Sequence, residues 1–389
     1  MKYWRGFLVA AIIAAITWAL VQFAAGHTVL IDMVYPYSTR MAISFLADWS
    51  ADLDACLWQI VLLLLGLGLL TSIVLMIVLR WNPIQWFGWI LACASFLYFY
   101  HTAIYGLNYY AGSIADDIRL EVTDWTVSDL AAATEFYLNE ANALADQVDR
   151  DSSGNLKFPG FEELAQQAGD GFRTLTYEKN YSIFAGSTVP VKKLGWSDLY
   201  TSMGISGITI AMTGEAAVNP EIPAVSMPFT MCHEMAHRMS IASEQDANFA
   251  AFLACDANSD IAFRYSAYFM AFRYCYNTLV STPTSTAQAE AAKLKAAIGK
   301  NLQTDLDSYS QYLELIDQKA SQMADDANDA YLKSSGETEG IASYGNVTDL
   351  LISWHIQEYV LPQLIPDEED LFDPFDEDKV NKAGVANAG

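Results

Sequence analysis

Basic residues are scarce in this chain. Its 389 residues include 21 lysines and arginines but 46 aspartates and glutamates, and the formal net charge is -25. Residues 1–110 hold four basic and four acidic groups, so the acidic excess belongs to the remainder. A surface of this charge repels the phosphate backbone of nucleic acids. We therefore expect no nucleic-acid partner.

Cysteines are also few, and their number excludes a disulfide-stapled fold. Cys56 and Cys93 fall within apolar runs, which leaves Cys232, Cys255 and Cys275, an odd number, for the rest of the chain. No disulfide framework follows from them. A bridge between Cys255 and Cys275 is an alternative outside the cell, but we expect buried helical thiols.

Long apolar runs are present at 6–25, 55–79 and 84–104, and each is long enough to cross a bilayer. Residues 1–110 are therefore predicted to form a membrane anchor with three transmembrane helices. The first run is alternatively a cleaved signal peptide, but Trp18 and the lack of a small-x-small cleavage site favour an anchor.

The few charges near these runs predict the topology. Lys2 and Arg5 precede the first run and Arg80 lies between the second and third, whereas the loop expected at 26–54 has Arg40 among four aspartates. The positive-inside rule then places the N-terminus in the cytoplasm and everything after residue 104 outside.

Residues 111–365 are long enough for one sizeable domain, and their pattern predicts a mainly α fold with a small β element. Strand signals occur at 172–177 and 205–212. Residues 366–389, which include eight acids at 367–378, are predicted to be a disordered acidic tail. The clearest helical stretches are 127–149, 228–241, 244–278, 284–328 and 346–363.

The most informative motif is His233-Glu234-Met235-Ala236-His237. On a helix, residues i and i+4 share a face, so both imidazoles can bind one zinc ion. Glu234 would then lie beside the metal, where a general base takes a proton from metal-activated water. The pattern predicts a hydrolytic zinc site. The alternative is that His233 and His237 are ordinary helix residues without a metal.

Glu244 is the candidate third ligand, seven residues after His237. On a continuous helix it would lie about 10 Å further along the axis, beyond the reach of zinc bonds of about 2 Å. The helix is therefore predicted to break near 240–242, with Ser243 as the N-cap of a second helix and Asp246 at the capping-box position. Asn248, one turn later, is a candidate hydrogen-bond partner for a ligating histidine.

Several segments resemble domain-of-unknown-function family 3810, bacterial membrane proteins thought from their motif to be zinc metallopeptidases. The Glu-x-x-Ala-Asn segment at 244–248 is also similar to the third-ligand segment of the gluzincins. The resemblance implies a zincin-like domain outside the bacterial cell membrane, with Glu244 as a zinc ligand. Ser240 departs from the pattern, since a glycine is expected to end the helix. The matching segments are 106–110, 214–219, 228–234, 244–255, 331–333 and 343–345.

The first functional hypothesis is a membrane-anchored zinc endopeptidase acting on envelope or extracellular polypeptides, with the strand at 205–212 pairing with the substrate. A general protease and a regulator that cleaves one membrane partner are both consistent with the sequence. The alternative is a non-catalytic protein in which zinc staples two helices. No fourth protein ligand lies nearby in sequence, which favours catalysis. Tyr331, Tyr344 and His355 are candidate donors to the oxyanion, although ordinary packing also explains them.

Overall fold

The computed structural model describes residues 2–335 and 347–364 of the chain. In this part the fold is mainly helical with one small sheet, which confirms the predicted fold class. The helices are α1 (Arg5–Gly26), α2 (Thr28–Ser50), α3 (Leu57–Val78), α4 (Pro83–Ile104), α5 (Ile114–Asp117), α6 (Val127–Ala145), α7 (Phe161–Tyr177), α8 (Ser197–Ser202), α9 (Met227–Arg238), α10 (Glu244–Asp256), α11 (Ile261–Ser281), α12 (Ser285–Ala296), α13 (Lys300–Leu313), α14 (Gln318–Ser335), α15 (Val347–His355) and α16 (Leu361–Leu364).

Helices α1, α3 and α4 are each long and apolar enough to cross a membrane, as predicted. α1 and α4 run side by side in the same direction. Near their N-terminal ends the backbones touch, because a Cβ on Gly6 would lie 2.6 Å from the backbone nitrogen of Trp89. At the other end, Ala24 in the last turn of α1 belongs to the same apolar cluster as Leu107, which lies just beyond the C-terminal end of α4. α3 runs the opposite way, since only a short link at 79–82 joins it to α4.

The segment between the first two spans, predicted to be a loop, is instead the helix α2. Its polar side chains face the protein: Thr39 and Arg40 are buried, and the Thr39 hydroxyl donates a hydrogen bond to Ser240 Oγ (3.0 Å). The Arg40 guanidinium donates to the carbonyl oxygen of Ile183. The opposite face exposes large apolar side chains. The Arg40 charge therefore lies on a helix face that is packed on the rest of the chain.

One core fills the region beyond the membrane helices, with buried apolar side chains from α6, α7, α9, α10, α11 and α15. The backbones of α7 and α10 pack so closely that a Cβ on Gly171 would overlap the carbonyl group of Ala254. All five cysteines are free, so no bridge joins Cys255 and Cys275. Cys232 is buried with its thiol near the carbonyl oxygen of Ala168 (3.7 Å).

The strand predicted at 172–177 is wrong, because these residues form the end of α7. Phe172 and Leu175 are buried on the same face as Leu164 and Ala168. Their spacing of three and four residues is that of a helix. The apolar face of the whole helix therefore determines the structure of this segment.

The predicted helical regions are helical, but the longer ones are divided. The stretch 244–278 forms α10 and α11, because Asp260 caps α11 by accepting a hydrogen bond from Ala262 N (2.8 Å). The stretch 284–328 contains α12, α13 and part of α14, and Gly299 occupies the N-cap position of α13. The predicted tail at 366–389 lies outside the described residues, and the domain limits 111–365 stay a prediction.

The sheet has three strands, β1 (Lys192–Lys193), β2 (Gly207–Ile210) and β3 (Glu215–Val218), in the order β1-β3-β2. β3 is central and pairs in parallel with β1 and antiparallel with β2, with Ile208 opposite Ala217. β2 confirms the strand predicted at 205–212 and is an edge of the sheet. It lies against α9, so the edge borders the motif helix.

Candidate metal centre

Helix α9 brings His233 and His237 together on one face, as their spacing predicts. Their Nε2 atoms are 3.1 Å apart. His237 is buried and His233 half-buried. Nδ1 of His237 lies 2.8 Å from the carbonyl oxygen of Ile241. A carbonyl only accepts, so Nδ1 carries a proton, and Nε2 is the nitrogen that faces the space between the rings, where a metal ion could bind.

Ser240 ends α9 in the left-handed conformation, with φ of 70°. Its N–H donates to the carbonyl oxygen of His237 (3.0 Å), and the N–H of Ile241 donates to that of Ala236 (3.2 Å). These two bonds form the Schellman motif that glycine normally completes. The break predicted near 240–242 is confirmed. Serine is held there in part by the hydrogen bond from Thr39 on α2.

Glu244 is the first residue of α10, and Ser243 occupies the N-cap position, as predicted. Ser243 makes no side-chain capping hydrogen bond, however, and Asp246 accepts one from the Ser113 hydroxyl (2.7 Å). The turn brings Glu244 back to the two rings. Its Oε2 lies 3.3 Å from Nε2 of His233 and 3.6 Å from Nε2 of His237.

These three side chains fit one zinc ion. Zinc bonds of about 2.0–2.2 Å in tetrahedral geometry separate the ligand atoms by about 3.3–3.5 Å. The observed separations are 3.1, 3.3 and 3.6 Å. Oε2 of Glu244 is buried without a hydrogen-bond partner, which is unusual for a carboxylate oxygen. A cation between the three atoms would satisfy it.

The electrostatics favour positive charge at this point. Burial lowers the pKa of His237, but the charges of Glu244 and Glu234 outweigh burial and raise it to about 9. Burial likewise raises the pKa of Glu244, and the two histidines reverse this and lower it. The site therefore stabilises a carboxylate beside a cation.

Glu234 lies beside the ligands, and two residues of β2 position it. The Thr209 hydroxyl is 2.7 Å from Oε2 of Glu234 and 2.8 Å from its backbone carbonyl oxygen. Gly207 allows the close approach, because a Cβ there would lie 2.7 Å from Cγ of Glu234. Burial raises the pKa of Glu234, against the lowering effect of His233 and His237. Such a carboxylate is suited to take and return a proton.

Sequence reasoning missed Thr209 and also Tyr105. The Tyr105 hydroxyl lies 3.2 Å from Nδ1 of His237, so it helps to orient this ring. Tyr105 follows α4 directly, in a segment rich in tyrosine that is typical of a membrane interface. In the sequence Tyr105 is marked only by its place in this tyrosine-rich segment, which does not distinguish it from other aromatic residues at a membrane interface.

A cavity of about 660 Å³ opens onto the site and is lined by all four residues of the predicted centre. β2 forms one wall of this cavity and α14 contributes another. The end of α4 also lines it, through His101. The residues that line these two walls are Gly207, Ile208, Thr209 and Ile210 of β2 and Ala324, Asp325 and Asn328 of α14.

Asn248 and His355, two of the remaining candidate residues, lie away from the cavity. Asn248 is buried on α10, where its side-chain oxygen accepts a hydrogen bond from Tyr274 (3.2 Å). His355 packs on Phe136 (ring centroids 4.9 Å apart) and is not among the residues that line the cavity. Tyr331 belongs to α14, but its side chain is outside the described part of the structure, as is all of Tyr344.

Comparison with known proteins yields one family. Residues 32–352 match the model of a family described as protein of unknown function (DUF3810). No curated protein and no solved structure matches the chain.

Proposed function

The chain belongs to this family of unknown function, DUF3810, and we propose that it is a membrane-anchored, zinc-dependent metalloendopeptidase. Its substrates are envelope or extracellular polypeptides. His233, His237 and Glu244 hold one zinc ion, and Glu234 is the catalytic residue. The observation that carries the proposal is the convergence of three ligand atoms within 4.8 Å of one another, on a cavity that Glu234 also lines.

The residues around the site have separate roles in hydrolysis. When bound, zinc would act as a Lewis acid and would lower the pKa of a bound water towards neutrality. Glu234 takes a proton from the attacking water and returns it to the departing amine. Thr209 holds the Glu234 carboxylate through its hydrogen bond (2.7 Å). β2, unpaired on its outer side in the described sheet, offers backbone groups to an extended peptide.

We further propose that the N-terminus is cytoplasmic and the catalytic domain extracytoplasmic. Lys2, Arg5 and Arg80 support this orientation through the positive-inside rule. The arrangement of the spans agrees with it, because α1 and α4 run in the same direction. The two ends flanked by these basic residues are therefore on the same side of the bilayer.

A non-catalytic zinc staple between α9 and α10 is the alternative function. Structural zinc sites are closed by four protein ligands, whereas catalytic sites keep a position for water. Among the described residues, the metal-ligating cluster has three members. The adjacent cavity and the buried carboxylate of Glu234 also favour catalysis.

Glu234→Gln tests the proposal in the full-length protein purified in detergent. The measurements are zinc per chain, by elemental analysis, and cleavage of an unstructured reporter polypeptide. We expect one zinc per chain in both proteins and a fall in cleavage of about 10²–10⁴-fold in the variant, the usual contribution of a general base. Glu163→Gln, an exposed carboxylate on α7, is the matched control and should cleave normally. Unchanged cleavage by Glu234→Gln would contradict its role, and retained zinc without any cleavage by the parent protein would favour the staple.

A further inference from the structure

The end of a membrane helix lines the cavity of the metal centre. His101 lies three residues before the last residue of α4, roughly 4.5 Å inside the helix end, and its side chain faces the cavity. Tyr105 and Tyr109, just beyond this end, line the same cavity. Since Tyr105 is 3.2 Å from His237, a candidate zinc ligand is one hydrogen bond away from the end of a span.

The sheet beside the metal centre is fixed to the ends of two spans. The Glu215 carboxylate, on β3, accepts hydrogen bonds from the backbone N–H groups of Leu57 (2.7 Å) and Trp58 (2.8 Å) at the start of α3. Lys192 completes a buried ion pair with Glu215 (2.8 Å). On the other side, the Tyr100 hydroxyl of α4 donates to the carbonyl oxygen of Met212 (3.2 Å). The substrate-binding edge β2 therefore has a fixed height relative to these helix ends.

Helix α2 adds a third attachment on the same side of the membrane. It connects the C-terminal end of α1 to the N-terminal end of α3, so it does not cross the bilayer itself. Large apolar side chains, each 60–74 % exposed, follow one another along its whole length: Val29, Met33, Tyr37, Met41, Phe45 and Trp49. Exposed apolar surface of this extent marks an interaction site, and a helix that lies in the membrane interface carries such side chains. The two flanking spans identify lipid as its occupant.

Together these contacts place the mouth of the catalytic cavity at the membrane surface. We propose, on the basis of the metallopeptidase function above, that the substrates are polypeptides anchored in the same membrane and cut in the stretch next to their own anchor. An extended chain rises about 3.3 Å per residue, so ten residues reach at most about 33 Å from the bilayer. Cleavage sites lie within about ten residues of the end of the substrate's anchor.

Three versions of one reporter test this inference with the wild-type protein in liposomes of phosphatidylethanolamine and phosphatidylglycerol. The first is an unstructured polypeptide fused directly to a single transmembrane helix. The second has a rigid proline-rich spacer between the helix and the same polypeptide, which extends about 3.1 Å per residue and lifts it away from the bilayer. The third is the polypeptide without a helix. Rates and cleavage positions are measured by mass spectrometry, with Glu234→Gln as the inactive control.

We expect the directly anchored reporter to be cut at least about tenfold faster than the other two, at positions next to its helix. The spacer version is the important comparison, because anchoring alone raises the local concentration of both anchored reporters. Equal cleavage of the direct and spacer versions, or cuts spread evenly along the polypeptide, would overturn the juxtamembrane inference and leave the peptidase function intact. If the wild-type protein cuts none of the three, the proposed function fails and the inference fails with it.

Discussion

Replacing Gly207 by alanine should impair catalysis while leaving the metal in place. In the structure a Cβ at this position would lie 2.7 Å from Cγ and 2.8 Å from Cδ of Glu234. Ordinary contacts between carbon atoms are about 3.5–4.0 Å, so the Glu234 side chain must move by roughly 1 Å. The hydrogen bond from Thr209 (2.7 Å) then lengthens or breaks.

A displacement of about 1 Å in a catalytic group can lower the rate by about 10²-fold. We therefore expect kcat for the unstructured reporter to fall by about that factor in Gly207→Ala. Zinc per chain should stay at the parental value, because the ligands lie on α9 and α10 and not on β2. The melting temperature should change little, since the side chain of Glu234 can rotate away from the new methyl group.

Gly66→Ala is the matched control, because a Cβ on this glycine of α3 meets no atom within 4 Å. It should have the parental rate, zinc content and melting temperature. A parental rate in Gly207→Ala would refute the view that Glu234 acts from its position against β2. Loss of zinc together with activity would also contradict it, because the strain would then have moved α9 itself.

Three further predictions concern the surroundings of the metal centre. Ser240→Gly should leave the free energy of unfolding nearly unchanged, because relief of about 1 kcal/mol of left-handed strain offsets the loss of one buried hydrogen bond of similar size. Ser240→Ala keeps the strain and loses the bond, so it should lower the free energy of unfolding by about 1–2 kcal/mol. Equal melting temperatures for the two variants would contradict this. Tyr105→Phe removes a hydrogen bond to His237 and should weaken zinc binding by about 10–100-fold in competition with a chelator, and unchanged affinity would exclude Tyr105 as an orienting residue. A polarity-sensitive dye attached to the cysteine of Met33→Cys, in a Cys93→Ser background, should emit at shorter wavelength when the protein is in liposomes. The same dye at the exposed position of Ser152→Cys should show no such shift in emission. Equal emission spectra at the two positions would argue against lipid contact by α2.

The cluster of His233, His237 and Glu244 could be predicted from the sequence because its geometry is local. The spacing of His233 and His237 places them on one face of any helix. The reach of a zinc bond then requires a break before Glu244. Ser240 provides that break with a left-handed backbone, although serine rarely adopts it. Its stabilising contact comes from Thr39, 201 positions away in the chain, and no local pattern indicates such a contact.

The parts that were missed depend on long-range contacts. The segment 26–54 was expected to be a loop only because it lies between two apolar runs. Its polar residues, such as Arg40, are in fact buried against the domain. Thr209 and Tyr105 belong to a strand and a helix end that only the folded chain brings to α9. The strand predicted at 172–177 was wrong for a local reason instead, since the apolar face of α7 begins well before this segment.

The most direct test of the account is X-ray absorption at the zinc edge on the full-length protein, together with zinc content. We expect one zinc per chain, bound by two imidazole nitrogens and by oxygen at about 2.0–2.2 Å, with no sulfur. In Glu244→Gln the affinity for zinc should fall while both imidazoles remain bound. A folded protein that binds no zinc, or a zinc ion bound by cysteine sulfur at about 2.3 Å, would contradict it.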